Sequence, residues 1–149
     1  MGRFVYRLQG ILDIKEKMES RARQQYASAK AALDQEEERL AALYAKRALY
    51  QEEGVRLRKG SLKIHFIAEN ERAIESMTYF ITEQTKRVES CQRATEEARQ
   101  ELSDVMKERK TYESLREKAL EDFHVEENRQ ESKEVDELTS YTYGMRKSR

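Results

Sequence analysis

An all-α fold, a long antiparallel two-helix coiled-coil hairpin with a C-terminal helical overhang, is what this sequence predicts, on three observations. Apolar residues recur in steps of three and four along two long stretches. The strong backbone interruption falls between them, in Gly54-Val55-Arg56-Leu57-Arg58-Lys59-Gly60-Ser61. The composition is that of long helices: of 149 residues 39% are charged, none is proline, and Glu, Lys, Arg, Gln, Ala and Leu dominate.

The first helix is expected over about 4–58. Its seam reads Phe4, Leu8, Ile11, Met18, Ala22, Tyr26, Ala29, Leu33, Leu40, Leu43 and Tyr50, with Lys15, Glu36 and Arg47 as polar exceptions. Two consecutive steps of four, Met18 to Ala22 to Tyr26, predict a stutter that locally unwinds the supercoil. A turn follows at about 58–62. Gly60 suits the position just past a helix, where a left-handed backbone carries no Cβ penalty, and Ser61 is the expected cap of the next helix. Gly54 is expected inside the last turns of the first helix.

The second helix is expected over about 62–138, with a tail over 139–149, the whole 1–149 forming a single helical hairpin. Its seam keeps an alternating rhythm from Ile67 through Asn70, Ile74, Met77, Ile81, Gln84, Val88, Cys91, Thr95, Ala98, Leu102, Val105, Arg109, Tyr112, Arg116 and Ala119 to Phe123. Past Phe123 the same rhythm meets only Glu126, Gln130, Lys133 and Glu137. Antiparallel pairing about residue 60 sets Tyr50 against Asn70, Leu43 against Met77 and Leu33 against Val88. The second helix is about half as long again as the first, so its last turns are expected to project unpaired beyond the N-terminus.

The chemistry on offer is sparse. Lys+Arg and Asp+Glu both number 29, giving zero net charge, which argues against nucleic acid as a partner. No apolar run approaches a transmembrane span and no secretory signal is expected. Cys91 is alone, so no intrachain disulfide is possible and a reducing cytosol fits. Lys59 precedes Gly60, the wrong order for a phosphate loop. Glu121 and His124 form one E-x-x-H pair, but a di-iron bundle needs a second copy and further glutamates. His65 reads as a surface or capping histidine. No catalytic residue, metal site or cofactor is expected, and no small-molecule substrate. The aromatic residues near the turn, Tyr44, Tyr50, Phe66, Tyr79 and Phe80, outnumber what a two-helix seam can bury. They serve either local packing or a partner-facing hot spot.

Three stretches carry a resemblance to a known family: Phe4-x-Tyr6-Arg7-Leu8-Gln9 with Leu12-Asp13-Ile14-Lys15; Phe66-Ile67-Ala68-Glu69-Asn70-Glu71-Arg72-Ala73-Ile74-Glu75; and Glu127-Asn128-Arg129 with Lys133 and Asp136-Glu137-Leu138. With the basic tail of Arg146, Lys147 and Arg149, they make the chain resemble the flagellar export protein FliJ family, the stalk-like soluble component of the flagellar type III secretion apparatus. The resemblance implies a non-enzymatic, cytoplasmic protein, peripheral to the inner face of the cell membrane at the flagellar base. It implies contact with the export ATPase hexamer through the helix ends, here Phe4, Tyr6, Leu8, Leu12, Phe123, Arg129, Lys133, Asp136 and Glu137. It also implies contact with the cytoplasmic domain of the export gate protein through Leu43, Tyr50, Phe66 and Ala73, and an escort role toward export chaperones. Arg39, Lys46, Asn70 and Met77 depart from the residue types of better-known members. A generic cytosolic coiled-coil adaptor or chaperone, and an enzyme subunit with a helical-bundle metal site, are the alternatives.

Overall fold

A computed structural model describes residues 2–147; Arg149 of the basic tail lies outside the described residues. Two helices, α1 (Gln9–Leu57) and α2 (Ile64–Lys147), pack against each other as a helical hairpin, with no strand among the described residues. Gly60 takes the left-handed conformation expected of it, φ 92°. The cap of α2 differs from expectation. Ile67 N–H donates to the Lys63 carbonyl at 3.2 Å, so Lys63 holds the capping position and Ser61 stands two residues ahead of it. The Lys63 ammonium lies 5.7 Å from the centre of the Phe66 ring.

Both outer ends also differ. α1 begins at Gln9 rather than near Phe4, because the preceding segment holds to α2 through Phe4 and Tyr6 and enters the helix by a turn at Arg7 and Leu8, where Gln9 N–H donates to Tyr6 O at 3.1 Å. At the other end α2 continues to Lys147 instead of stopping near Leu138. No proline interrupts it, and Gly144 alone costs a helix only about 1 kcal/mol.

The chain divides into two compact units, Met1–Ser20 with Asp104–Arg149, and Arg21–Ser103. Both helices pass unbroken through the division. In the unit that holds the turn, Ala22, Leu33, Met77, Ile81 and Val88 form the buried apolar seam. Three polar seam residues of α2 are buried with them: Asn70 Nδ2 donates to Tyr50 O of α1 at 2.8 Å, Gln84 Nε2 donates to Glu36 O of α1 at 3.0 Å, and the single Thr95 hydroxyl proton is shared between Cys91 O of its own helix at 2.8 Å and Ala29 O of α1 at 3.2 Å. The first of these is the expected Tyr50–Asn70 pairing. A buried amide without its partner costs more than the bond is worth, so these groups oppose a heptad slip.

In the terminal unit the seam departs from the sequence reading. Leu12 and Glu19 face inward, at 3% and 8% exposure, where Ile11 and Met18 were expected; those two are exposed. The covered positions of α1 then alternate in steps of four and three from Leu8 to Leu57, with no stutter. The reason lies across the seam. Arg109 Nε and Nη2 donate to the two oxygens of Glu19 at 2.7 and 3.3 Å, and Nη1 donates to Glu113 at 2.7 Å. These carboxylates, Glu19 first, hold the Arg109 guanidinium above even its ordinary pKa. A burial rule based on apolar residues would reject Glu19, but a forked pair satisfies both charges in place. Lys15, a polar exception to the seam, donates to Glu108 at 2.7 Å, which raises its pKa.

Candidate docking surfaces

The terminal unit carries the first surface. Tyr6 is 8% exposed and its hydroxyl donates to the Tyr112 carbonyl at 3.1 Å. The Phe4 and Phe123 rings lie 5.5 Å apart, with the Arg116 guanidinium 5.6 Å from the Phe4 ring centre. Phe4, Tyr6, Leu8 and Phe123, four of the residues expected to meet the ATPase, thus line one groove with Leu115 and Ala119. Leu12 is not part of it and lies inside the seam.

Beyond Glu127 every described side chain of α2 up to Arg146 is exposed. At about 100° per residue, Arg129, Lys133, Asp136 and Glu137 fall on one face. The opposite side holds a set the sequence reading missed: Val135, Leu138, Thr142 and Met145, in steps of three, four and three. Val135 and Leu138 are 59% and 66% exposed. The signal was present in the sequence but out of phase with the seam ending at Phe123. Following that seam leads to Lys133 and Glu137 and past the new stripe.

The second surface belongs to the unit that holds the turn. Tyr50, Phe66 and Ala73 line one groove of ≈ 250 Å³ with Glu53, Leu57, Glu69 and Asn70. Leu43, expected with them, is half-buried two turns earlier in α1 and does not line it. Asn70 anchors the groove floor by its bond to Tyr50 O. The floor needs a glycine beside it, since a Cβ on Gly54 would lie 2.5 Å from Asn70 Oδ1. Of the other positions that depart from the family pattern, Met77 is buried in the seam and Arg39 pairs with Glu36 at 2.9 Å. Tyr44, Tyr79 and Phe80 are exposed; Tyr44 lies under the Arg47 guanidinium, and the Tyr79 and Phe80 rings meet edge to face.

Elsewhere, His124 Nδ1 lies 3.9 Å from Glu127, and His65 Nε2 lies 3.2 Å from Glu69. Among the described residues no group of three or more His, Cys, Asp or Glu is placed to hold a metal ion, and no helix is long and apolar enough to cross a membrane. Cys91 is half-buried on the seam.

The structure is a helical hairpin with an exposed α2 terminus in one unit and an aromatic groove in the other. A family model described as Flagellar FliJ protein matches residues 4–148, and the chain belongs to that family, the flagellar export family its sequence resembles. It is accordingly a flagellar, type III export component. No curated protein matches it by sequence. Among solved structures, the proposed YscO homolog CT670 from Chlamydia trachomatis is similar to it in fold, with a TM-score of 0.62, 22% identity and 99% of each chain covered.

Proposed function

We propose that the chain is a non-enzymatic stalk and chaperone component of the bacterial flagellar type III export apparatus, promoting assembly and activity of the export ATPase ring and coupling it to the export gate. It works in the cytoplasm, at the inner face of the membrane, with the whole chain acting as one hairpin. The observation that carries the reading is the separation of two exposed surfaces into different units joined by unbroken helices. The terminal unit, with Phe4, Tyr6, Leu8, Phe123 and the bare end of α2, meets the ATPase hexamer. The groove of Tyr50, Phe66 and Ala73 meets the cytoplasmic domain of the gate protein. Export chaperones are the further partners. Family membership and the fold shared with CT670 support this reading.

Purified protein added to the flagellar export ATPase is expected to promote its hexamerisation and raise its hydrolysis rate. An ATPase indifferent to the full-length chain would return the protein to a general adaptor role. At the other surface, Phe66 is 47% exposed and contributes little to the seam, so Phe66→Ala is expected to fold normally. It should weaken binding to the gate domain by about 2 kcal/mol, the loss typical of an aromatic anchor. Calorimetry with the gate domain, alongside a melting curve, checks both halves; unchanged affinity would remove Phe66 from the interface.

A further inference from the structure

The polar side-chain groups of the turn-side groove are short of donors. Glu53 has no partner among the described residues. Glu69 offers Oε1 to His65 and has no partner for its second oxygen among the described residues. Asn70 is 5% exposed; its Nδ2 is used by Tyr50 O, and its Oδ1 is buried with nothing donating to it. That unmet carbonyl adds its dipole to the negative potential that the two carboxylates impose on the groove. The chain's own Arg58 does not relieve it, because its two terminal nitrogens donate to Gly54 O and to Glu71, each at 3.0 Å. The walls are aromatic and aliphatic: Tyr50, Phe66, Leu57 and Ala73. An aromatic ring here is already a platform for a cation, as the Lys63 ammonium over Phe66 shows.

We propose that this groove takes an arginine side chain from the docking partner. The inference rests on the reading of this surface as a docking face and adds the chemistry of what enters it. A guanidinium matches each feature. Its flat face lies along the Tyr50 and Phe66 rings, its methylene stem covers Leu57 and Ala73, and its fork of donors meets Glu53 and Glu69. A purely apolar guest would leave the carboxylates desolvated without a counter-charge, and an acidic one would be repelled.

The test uses the full chain, uniformly 15N-labelled, and two probe peptides, Ac-Leu-Arg-Leu-NH2 and its citrulline twin, which keeps the shape and loses the charge. The arginine peptide is expected to shift the amides of Tyr50, Phe66 and Ala73 and to bind about tenfold more tightly than the citrulline peptide, the gain typical of charged hydrogen bonds. The double variant Glu53→Gln, Glu69→Gln, isosteric and on the groove rim, should melt as the wild type does and bind both peptides alike. Equal binding of the two peptides to the wild type, or shifts confined to other parts of the chain, would overturn the proposal. The gate domain separates it from the reading on which it rests. If the double variant binds the gate domain as tightly as the wild type, the arginine inference falls and the gate contact stands. If the wild type ignores the gate domain but still discriminates between the peptides, the gate contact falls and the groove chemistry stands.

Discussion

Cutting the chain after Phe123 should abolish stimulation of the export ATPase while leaving the remaining hairpin folded. The structural half of this expectation follows from burial. Beyond Phe123 only Glu127 is even half-covered among the described residues, so the segment contributes almost nothing to the seam. A helix without a packed face has little to hold it, since helical stability in proteins comes mostly from tertiary burial. The segment should fray in the free protein and become ordered on docking. Circular dichroism of the truncated chain should show a smaller loss of helix than the number of residues removed would give, with its melting midpoint preserved. The functional half follows from what the segment exposes: a charged face of Arg129, Lys133, Asp136 and Glu137, and a separate apolar face of Val135, Leu138, Thr142 and Met145. Contact through the charged face should weaken as salt rises and on charge reversal at Arg129 or Asp136, because Coulomb interactions between exposed groups are screened within about 8–10 Å. Contact through the apolar face alone would tolerate both changes and fail on Leu138→Ser. Full stimulation by the truncated chain would show that the end of α2 is not the ring contact.

Gly54→Ala should destabilise the protein although it places a better helix former inside a helix. Propensity alone favours alanine by about 1 kcal/mol. Against this, the new Cβ would lie 2.5 Å from Asn70 Oδ1 and 2.9 Å from Arg58 Nη1. Arg58 is a flexible side chain and can withdraw. Asn70 cannot do so cheaply, because it is buried and its amide is committed to Tyr50 O at 2.8 Å. Moving it breaks that bond or separates the helices, a cost of about 1–3 kcal/mol that exceeds the propensity gain. The melting midpoint should fall by several degrees. In an Asn70→Ala background the clash disappears, and Gly54→Ala should become neutral or stabilising. A double-mutant cycle measures the coupling. A raised midpoint for the single variant would show that Asn70 does not hold α2 this close to α1.

The family and the fold class were legible because both are written in one-dimensional signals. A long alternation of three and four residues names a coiled coil, a glycine at its midpoint names a turn, and the absence of proline leaves both helices free to run. The α2 seam was readable from Ile67 to Phe123, polar members included, because its rhythm is uncontested along that length. The Tyr50, Phe66 and Ala73 groove was half legible. The residues carry the family pattern, but Leu43 carries it too and lies outside, since a pattern along one chain does not say which side chains of two helices meet.

Sequence by itself thus determined the helices, the turn and the length of the seam, each a matter of local backbone preference and apolar period. Tertiary structure decided which of two competing phases is buried near the N-terminus and what covers α2 there. Ile11 and Met18 are the apolar choice, yet Leu12 and Glu19 are inside, because Arg109 lies across the seam and Glu19 is the carboxylate of α1 that pairs with it, beside Glu113 on α2 itself. Phe4 to Leu8 are helix-compatible residues, yet the segment stays outside α1, because there Tyr6 reaches the Tyr112 carbonyl and Phe4 reaches Phe123. In both places a contact about ninety or more residues away in sequence outweighs a preference of a fraction of a kcal/mol per residue, and no local reading can weigh a partner it cannot place.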